Sequence, residues 1–234
     1  MALLEVSNLA GGYGPVQVLF GINLNVDEGE VVALVGRNGM GKTTTIKMVT
    51  GALSSMEGSL SFEGSSIASL ASHKISRLGI GLVPEGRQVF SSLTVEENLA
   101  LAERPGPGGD TWTVETAFQL FPRLKERRNN QAGTLSGGEQ QKLAIARALV
   151  TNPKLIILDE ATEGLAPLIR QEIWACLDEI TNAGMSALVV DKNLGALSKI
   201  ASRFVVVSKG ETVWDGSAQQ FMDDEELKNQ HLGV

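Results

Sequence analysis

The chain has 234 residues, room for one large domain or one domain with an insertion around a full core. A formal net charge of −7 argues against the broad basic face that nucleic-acid binding needs. A lone cysteine, Cys176, beside two histidines, His73 and His231, excludes an internal disulfide and leaves too few ligands for a zinc cluster. No stretch reaches the roughly 18 consecutive apolar residues of a membrane-spanning helix, and the start MALLEVSNLA lacks the basic-then-apolar order of a signal peptide, so a cytoplasmic protein is expected.

In chain order, the N-terminal quarter reads as strands. Ile22, Leu24 and Val26 alternate with Asn23, Asn25 and Asp27, the period of a half-buried antiparallel strand. Val31–Val35 is instead an unbroken apolar run, as expected of a parallel strand covered on both faces, and the sequence GRNGMGKTT that follows leads into a helix over 44–50. Leu60 and Phe62 alternate with Ser59, Ser61 and Glu63 in another half-buried strand. From about 91 the character turns helical. Thr94 and Glu97 form a capping box that opens one helix, the run RPGPGGD at 104–110 breaks it, a second helical stretch runs from about Thr113 to near Pro122, and a third starts at Ser136. Residues 91–151 therefore read as a helical subdomain inserted between 1–90 and 152–234. Further unbroken apolar runs at 155–158, 187–190 and 204–207 join Val31–Val35 in the expected core sheet, and 223–234, acidic first and basic later, suits a surface helix.

Residues Gly36, Arg37, Asn38, Gly39, Met40, Gly41, Lys42 and Thr43 fit the pattern G-x4-G-K-S/T, with Thr44 next in the helix. Glycines there let backbone N–H groups wrap the β- and γ-phosphates of a nucleoside triphosphate such as ATP. Lys42 adds a point charge, the Thr43 hydroxyl can ligate Mg2+, and the helix start adds roughly half a positive charge facing the anion. The plain alternative is a glycine-rich strand-to-helix turn. The run 155–158 ends in Asp159 and Glu160, at the sheet edge where ligands sit in doubly wound folds. Asp159 is placed to hold Mg2+, and Glu160, turned the other way, to orient and deprotonate an attacking water. Solvated acids at a strand end are the bland reading of that pair.

In LSGGEQ, Ser136 and Glu139 read as a capping box, with Leu143, Ala146, Leu149 and Val150 facing the core. A cap does not need Gly137 and Gly138, which cost about 1 kcal/mol each in helix propensity. They suit a helix start that touches a γ-phosphate, which a second copy of such a chain would supply.

LSGGEQ together with GRNGMGKTT and LIILDE resembles the ATPase subunit of ABC transporters, over essentially the whole chain. The resemblance implies an α/β P-loop NTPase with a mostly parallel core sheet, an N-terminal antiparallel β-subdomain and an inserted helical subdomain. It also implies ATP hydrolysis with Mg2+ between two cassettes packed head to tail, as homo- or heterodimer, so that Ser136, Gly137, Gly138 and Glu139 of one face the phosphate loop of the other. Tyr13, the one tyrosine, becomes the aromatic platform for adenine. Transmembrane permease subunits would hold the cassette at the cytoplasmic face of the inner membrane, with an extracytoplasmic solute-binding protein as an indirect partner and no nucleic acid. Three positions depart from the family pattern. Glu85 stands where most members carry a glutamine that senses magnesium and the permease, and a carboxylate there could itself coordinate Mg2+. Gln88 is near but out of register. Ala166 replaces an interfacial aspartate, and Lys192 replaces the switch histidine, able to donate to a γ-phosphate but not to accept a proton as neutral imidazole can. With VPEGRQVF, LTVEENL and EGLAP, these departures resemble the branch that serves importers of branched-chain (hydrophobic) amino acids. Three alternatives stay open: an ABC ATPase of an importer for another solute, a nucleotide-gated regulatory module with little turnover, and a DNA-repair or ribosome-associated ABC ATPase, which would usually carry a long coiled-coil insertion or a second cassette.

Overall fold

Two kinds of strand, half-buried and fully buried, sort this chain into two halves of one sheet. The computed structural model describes residues 2–54, 57–106 and 111–233. At the N-terminus β1 (Ala2–Tyr13) and β2 (Val16–Asp27) pair antiparallel, and β2 buries Leu19, Ile22, Leu24 and Val26 while Phe20, Asn23 and Asp27 face out. After them come β3 (Val31–Val35), α1 (Lys42–Val49), β4 (Glu57–Phe62), β5 (Ser65–Ser66), α2 (Ser72–Leu78) and β6 (Ile80–Val83). The helical stretch holds α3 (Val95–Ala100), α4 (Val114–Leu120), α5 (Pro122–Glu126) and α6 (Gly137–Leu149). The chain then returns to the sheet through β7 (Leu155–Asp159), α7 (Pro167–Asn182), β8 (Ser186–Val190), α8 (Leu194–Ile200), β9 (Arg203–Ser208) and β10 (Glu211–Ser217), and closes on α9 (Ala218–Asp223) and α10 (Glu225–His231).

The strand order is β5-β4-β1-β2-β10-β9-β3-β8-β7-β6. From β9 to β6 every pairing is parallel, whereas β10 runs antiparallel to β9 and meets β2 through the Glu211–Gly21 pair. The unbroken apolar runs are explained by two cores. Val31, Ala33 and Val35 of β3 and Ile156 and Leu158 of β7 join a cluster with Leu143 and Ile145 of α6 and Ile173 and Leu177 of α7. Their neighbours Val32, Leu34, Leu155 and Ile157 join the opposite cluster, with Ile46 and Val49 of α1 and Leu4 and Leu60 of the antiparallel strands. Alternate residues thus feed opposite faces, and no position is left for a polar side chain.

Helix starts follow local chemistry. Thr94 accepts from the Glu97 N–H at 3.1 Å while the Glu97 carboxylate accepts from the Thr94 N–H at 2.8 Å, and Ser136 and Glu139 repeat the exchange at 3.3 and 2.8 Å. Such caps satisfy two of the four N–H groups that a helix start leaves unpaired. Several boundaries differ from the sequence expectation. The helix after the phosphate loop begins at Lys42 rather than Thr44, because Gly41 takes φ +111 and turns the chain. The first inserted helix stops at Ala100, ahead of the Arg104 break, and 107–110 of that break lie outside the described residues. Pro122 does more than end a helix: it opens α5 at the first position, where its missing N–H costs nothing. β5, β6, β10, α2, α7, α8 and α9 go beyond the sequence expectation. The last segment forms α10, capped by Asp224, with Val234 outside the described residues.

Phe221 fixes α9 to the sheet. It is fully buried and stacks on Phe204 of β9 with ring centroids 4.3 Å apart. Phe221→Ala is expected to lower the unfolding free energy by about 3–5 kcal/mol, read from the urea midpoint at constant slope. A loss below 1 kcal/mol would mean that α9 is not anchored by this ring.

Candidate functional site

β3 delivers the chain to a loop whose path is set by a close approach. Gly36 has φ +151, and a Cβ there would stand 2.2 Å from the Val207 carbonyl oxygen on β9. No other residue fits. At the far end of the loop a Cβ on Gly41 would stand 2.6 Å from the Leu19 Cδ2. Between them Lys42 folds back, its Nζ donating to the Gly36 carbonyl at 2.8 Å and the Arg37 carbonyl at 3.1 Å. Burial holds this amine below the ordinary lysine value, with the Glu160 charge pulling the other way. The Thr43 hydroxyl donates to Asp159 Oδ1 at 3.2 Å and so joins the loop to the end of β7. Asp159 is itself buried, which pushes its carboxyl up, against the Thr43 hydrogen bond. Two loop residues send their side chains elsewhere. The Arg37 guanidinium donates to the Asn229 carbonyl at 3.2 Å, and Met40 packs into the core while its sulfur accepts from the Lys209 N–H at 3.2 Å. Both leave only backbone to the loop.

A cavity of about 450 Å3 lies over the loop. Its walls include Asn38, Gly39, Gly41, Lys42, Thr43 and Thr44 from the loop and α1, together with Tyr13, Glu85, Glu160, Glu163 and Lys192. Tyr13 is 44% exposed, and its hydroxyl accepts from Lys47 Nζ at 3.2 Å; hydrogen bonding with Thr44 first, then Lys47, holds its phenol below the usual value. The Lys47 Nζ also sits over the ring, 5.3 Å from its centroid.

Glu160 turns out of β7 with φ +50, and its N–H donates to the Val190 carbonyl at 2.9 Å. Burial, then a hydrogen bond with Glu163, push its carboxyl up to about 7. The same bond, donated by neutral Glu160, holds Glu163 low. Lys192 answers both acids, 2.5 Å from Glu163 Oε1 and 3.7 Å from Glu160 Oε2. The carboxylates of Glu85, Glu160 and Glu163 each offer an oxygen within 4.8 Å of the others. Glu163 was not singled out from sequence. Its signal is the turn in which the Glu163 N–H donates to the Glu160 carbonyl at 3.2 Å, bringing a residue three positions on back beside the first.

Ser136, Gly137, Gly138 and Glu139 do not line this cavity; they open α6 elsewhere on the chain. Gly138 has a packing reason beside the ligand reading, whereas what crowds Gly137 is the movable end of an arginine. A Cβ on Gly137 would stand 2.6 Å from the Arg87 Nη1, and one on Gly138 would stand 2.7 Å from the Ile169 Cγ2. Gln88 faces away: its carbonyl accepts from the Arg147 Nη1 at 2.8 Å, and its amide donates to the Glu85 carbonyl at 3.4 Å. Ala166 caps α7 without a side-chain hydrogen bond.

The model of the family described as ABC transporter matches residues 19–163. The high-affinity branched-chain amino acid transport ATP-binding protein BraG of Pseudomonas aeruginosa is 39% identical, covering 99% of this chain and 100% of its own length. The lipopolysaccharide export system ATP-binding protein LptB of Haemophilus influenzae is 35% identical, covering 100% of this chain and 98% of its own. Among solved structures, a nucleotide-free ATP-binding cassette from an ABC transporter superposes with a TM-score of 0.82 at 28% identity, covering 97% of each chain. No helix among the described residues is long and apolar enough to cross a membrane. With the loop, the strand-end acids and LSGGEQ inside the matched span, the chain belongs to the ABC transporter family and is an ATP-binding subunit of it, an ATPase.

Proposed function

We propose that this cassette powers an importer of branched-chain or other hydrophobic amino acids, through nucleotide-dependent pairing with a second cassette beneath transmembrane permease subunits. One observation carries the reading: a single chain gathers the loop, Thr43 and Glu160 around one cavity, with Asp159 bonded to Thr43, and leaves the start of α6 outside it. Residues 136–139 of a second copy then close the site, where the N–H groups of Gly137 and Gly138, which the capping box leaves open, and the helix dipole meet a terminal phosphate. Bound ATP selects the paired state, and its hydrolysis releases it.

In this site the loop N–H groups cradle the phosphates, and Lys42 exchanges its two carbonyl acceptors for phosphate oxygens. Tyr13 stacks on adenine. The oxygens of Thr43 and Asp159, hard donors already 3.2 Å apart, suit Mg2+, with Glu85 as a further donor; the ion would neutralise phosphate charge there. Glu160 in its ionised form takes a proton from the attacking water as the water oxygen bonds to the γ-phosphorus. The bond to the bridging oxygen breaks, leaving ADP and phosphate. Lys192 favours the ionised form of Glu160, against the larger pushes from burial and Glu163, and can donate to phosphate. An ammonium has no lone pair, so it does not share the proton-accepting step.

A groove of about 440 Å3 between α2, β6 and α6, lined by Ile75, Leu82, Arg87, Gln88 and Arg147 among others, gives the permease a seat beside the inserted helices. The likeness to BraG, with VPEGRQVF and EGLAP, supports the amino acid branch. The likeness to LptB supports a second reading, an ATPase that drives lipid export. Isolating the complex from native membranes and identifying its permease subunits separates them, and permeases of neither type sink both.

Replacing Glu160 by Gln is expected to cut hydrolysis by about 10²–10⁴-fold with ATP binding retained, and to accumulate an ATP-dependent dimer in light scattering. Unchanged turnover would remove Glu160 from the role of base. In the wild type, kcat/KM should rise with pH through about 7, since Glu160 accepts a proton only when ionised and kcat/KM reports the free enzyme. Glu163→Gln removes an upward push and should move this limb to lower pH. Lys192→Ala removes a downward one and should move it to higher pH. A limb indifferent to both variants would belong to another group.

A further inference from the structure

Arg37 follows the first glycine of the phosphate loop, yet its guanidinium reaches the other end of the chain. It donates to the carbonyl of Asn229 in α10 at 3.2 Å. That carbonyl is open to an outside donor because of how α10 ends. Gly233, at φ +75, sends its N–H to the Lys228 carbonyl at 3.1 Å, where the Leu232 N–H already donates at 2.8 Å. The helix N–H that would have satisfied Asn229 is thus diverted, and a cation at this negative helix end is favoured on both counts. The guanidinium also lies against the last turn, since a Cβ on Gly233 would stand 3.3 Å from its Nε. On the loop side, the Arg37 carbonyl accepts from Lys42 Nζ at 3.1 Å and from the Met40 N–H at 3.4 Å. One residue therefore joins the C-terminal helix to the lysine of the loop.

We propose that Arg37 is a positioning residue that ties the phosphate loop to α10, and that α10 thereby sets how tightly the loop holds a nucleotide. The inference rests on the loop being the nucleotide site. A loop held in its wrapped path loses less freedom when it closes on phosphates. The contact is exposed, so its weight is that of a charge at a helix end, about a two- to fivefold change in affinity. The competing role for Arg37 is a direct phosphate ligand, in which case its charge matters and α10 does not.

The two roles part at Gln230, an exposed residue of α10. Gln230→Pro leaves Arg37 intact but forces Asn229 out of helical geometry and displaces its carbonyl. In the full-length chain, ADP affinity by calorimetry and the KM and kcat for ATP are measured for Arg37→Ala, Arg37→Lys, Gln230→Pro and the Arg37→Ala/Gln230→Pro pair. Arg37→Ala and Gln230→Pro should each weaken ADP and raise KM about two- to fivefold with kcat unchanged, the pair should be no worse than either alone, and Arg37→Lys should stay near wild type. If Gln230→Pro binds ADP like the wild type while Arg37→Ala does not, or if the two losses add, the tie is overturned and Arg37 contacts phosphate directly. If neither changes affinity, Arg37 has no part in nucleotide binding. A wild-type chain that fails to bind ADP overturns the nucleotide site itself.

Discussion

The site depends on a backbone contact that no side chain could share. Gly36 passes so close to the Val207 carbonyl that an added Cβ would overlap it, and this pins the start of the loop to β9. Gly41 then turns the chain so that α1 begins at Lys42, its first residues aimed along the loop. From this follow the return of Lys42 to the loop carbonyls and the Thr43 bond to Asp159. Three adjacent parallel strands, β9, β3 and β8, with β7 beyond them, hold those ends at one edge, as expected of an open sheet whose ligand crevice lies past its carboxyl ends. The loop is therefore rigid where it meets the sheet and open where it meets solvent.

Charge is managed next to it by crowding. Glu85, Glu160 and Glu163 bring the same sign to the same cavity, and buried Asp159 adjoins Glu160 in sequence. In a partly dry space such carboxylates cannot all ionise cheaply, so one is driven up while its partner is held low. The ordering is set by position: Glu160 is enclosed and rises, while Glu163 faces Lys192 and stays charged. Lysine is well suited to this balance because it stays cationic across the range in which Glu160 titrates, which a histidine would not.

Local signals made much of this readable in advance, and long-range ones did not. The capping boxes at Thr94 and Ser136 are spelled in four residues each, and the buried strands are spelled by unbroken apolar runs. β6 escaped because it has four residues, one of them Gly81, whose purpose lies elsewhere: a Cβ there would stand 3.1 Å from Pro153. The six residues of α9 matter through Phe221 stacking on Phe204, again a distant contact. Within the loop, the pattern treats Arg37, Asn38, Gly39 and Met40 alike. Only the fold separates Asn38 and Gly39, which line the cavity, from Arg37 and Met40, which face α10 and the core. Glu163 escaped for a related reason, since a turn rather than a periodic element brings it to Glu160.

The same fold ties the cavity to the groove through very little chain. Glu85 lines the cavity, while Arg87 and Gln88, two and three residues on, line the groove. Gly86, Arg87 and Gln88 run at φ +80, +68 and +47, and a left-handed backbone costs a non-glycine residue on the order of 1 kcal/mol or more. Strain of that kind persists only where neighbours hold it. Here Arg147, its guanidinium 4.4 Å from the exposed Phe90 ring, donates to the Gln88 carbonyl, and Arg87 lies on Gly137 at the start of α6. A body seated in the groove bears on Arg87 and Gln88 directly, and both are braced against α6. Arg87 and Gln88 thus lie between Glu85 on one side and the LSGGEQ helix start on the other. The glycine at 137 leaves a bare backbone beside the Arg87 guanidinium at the start of α6, where the proposed second cassette's nucleotide would arrive.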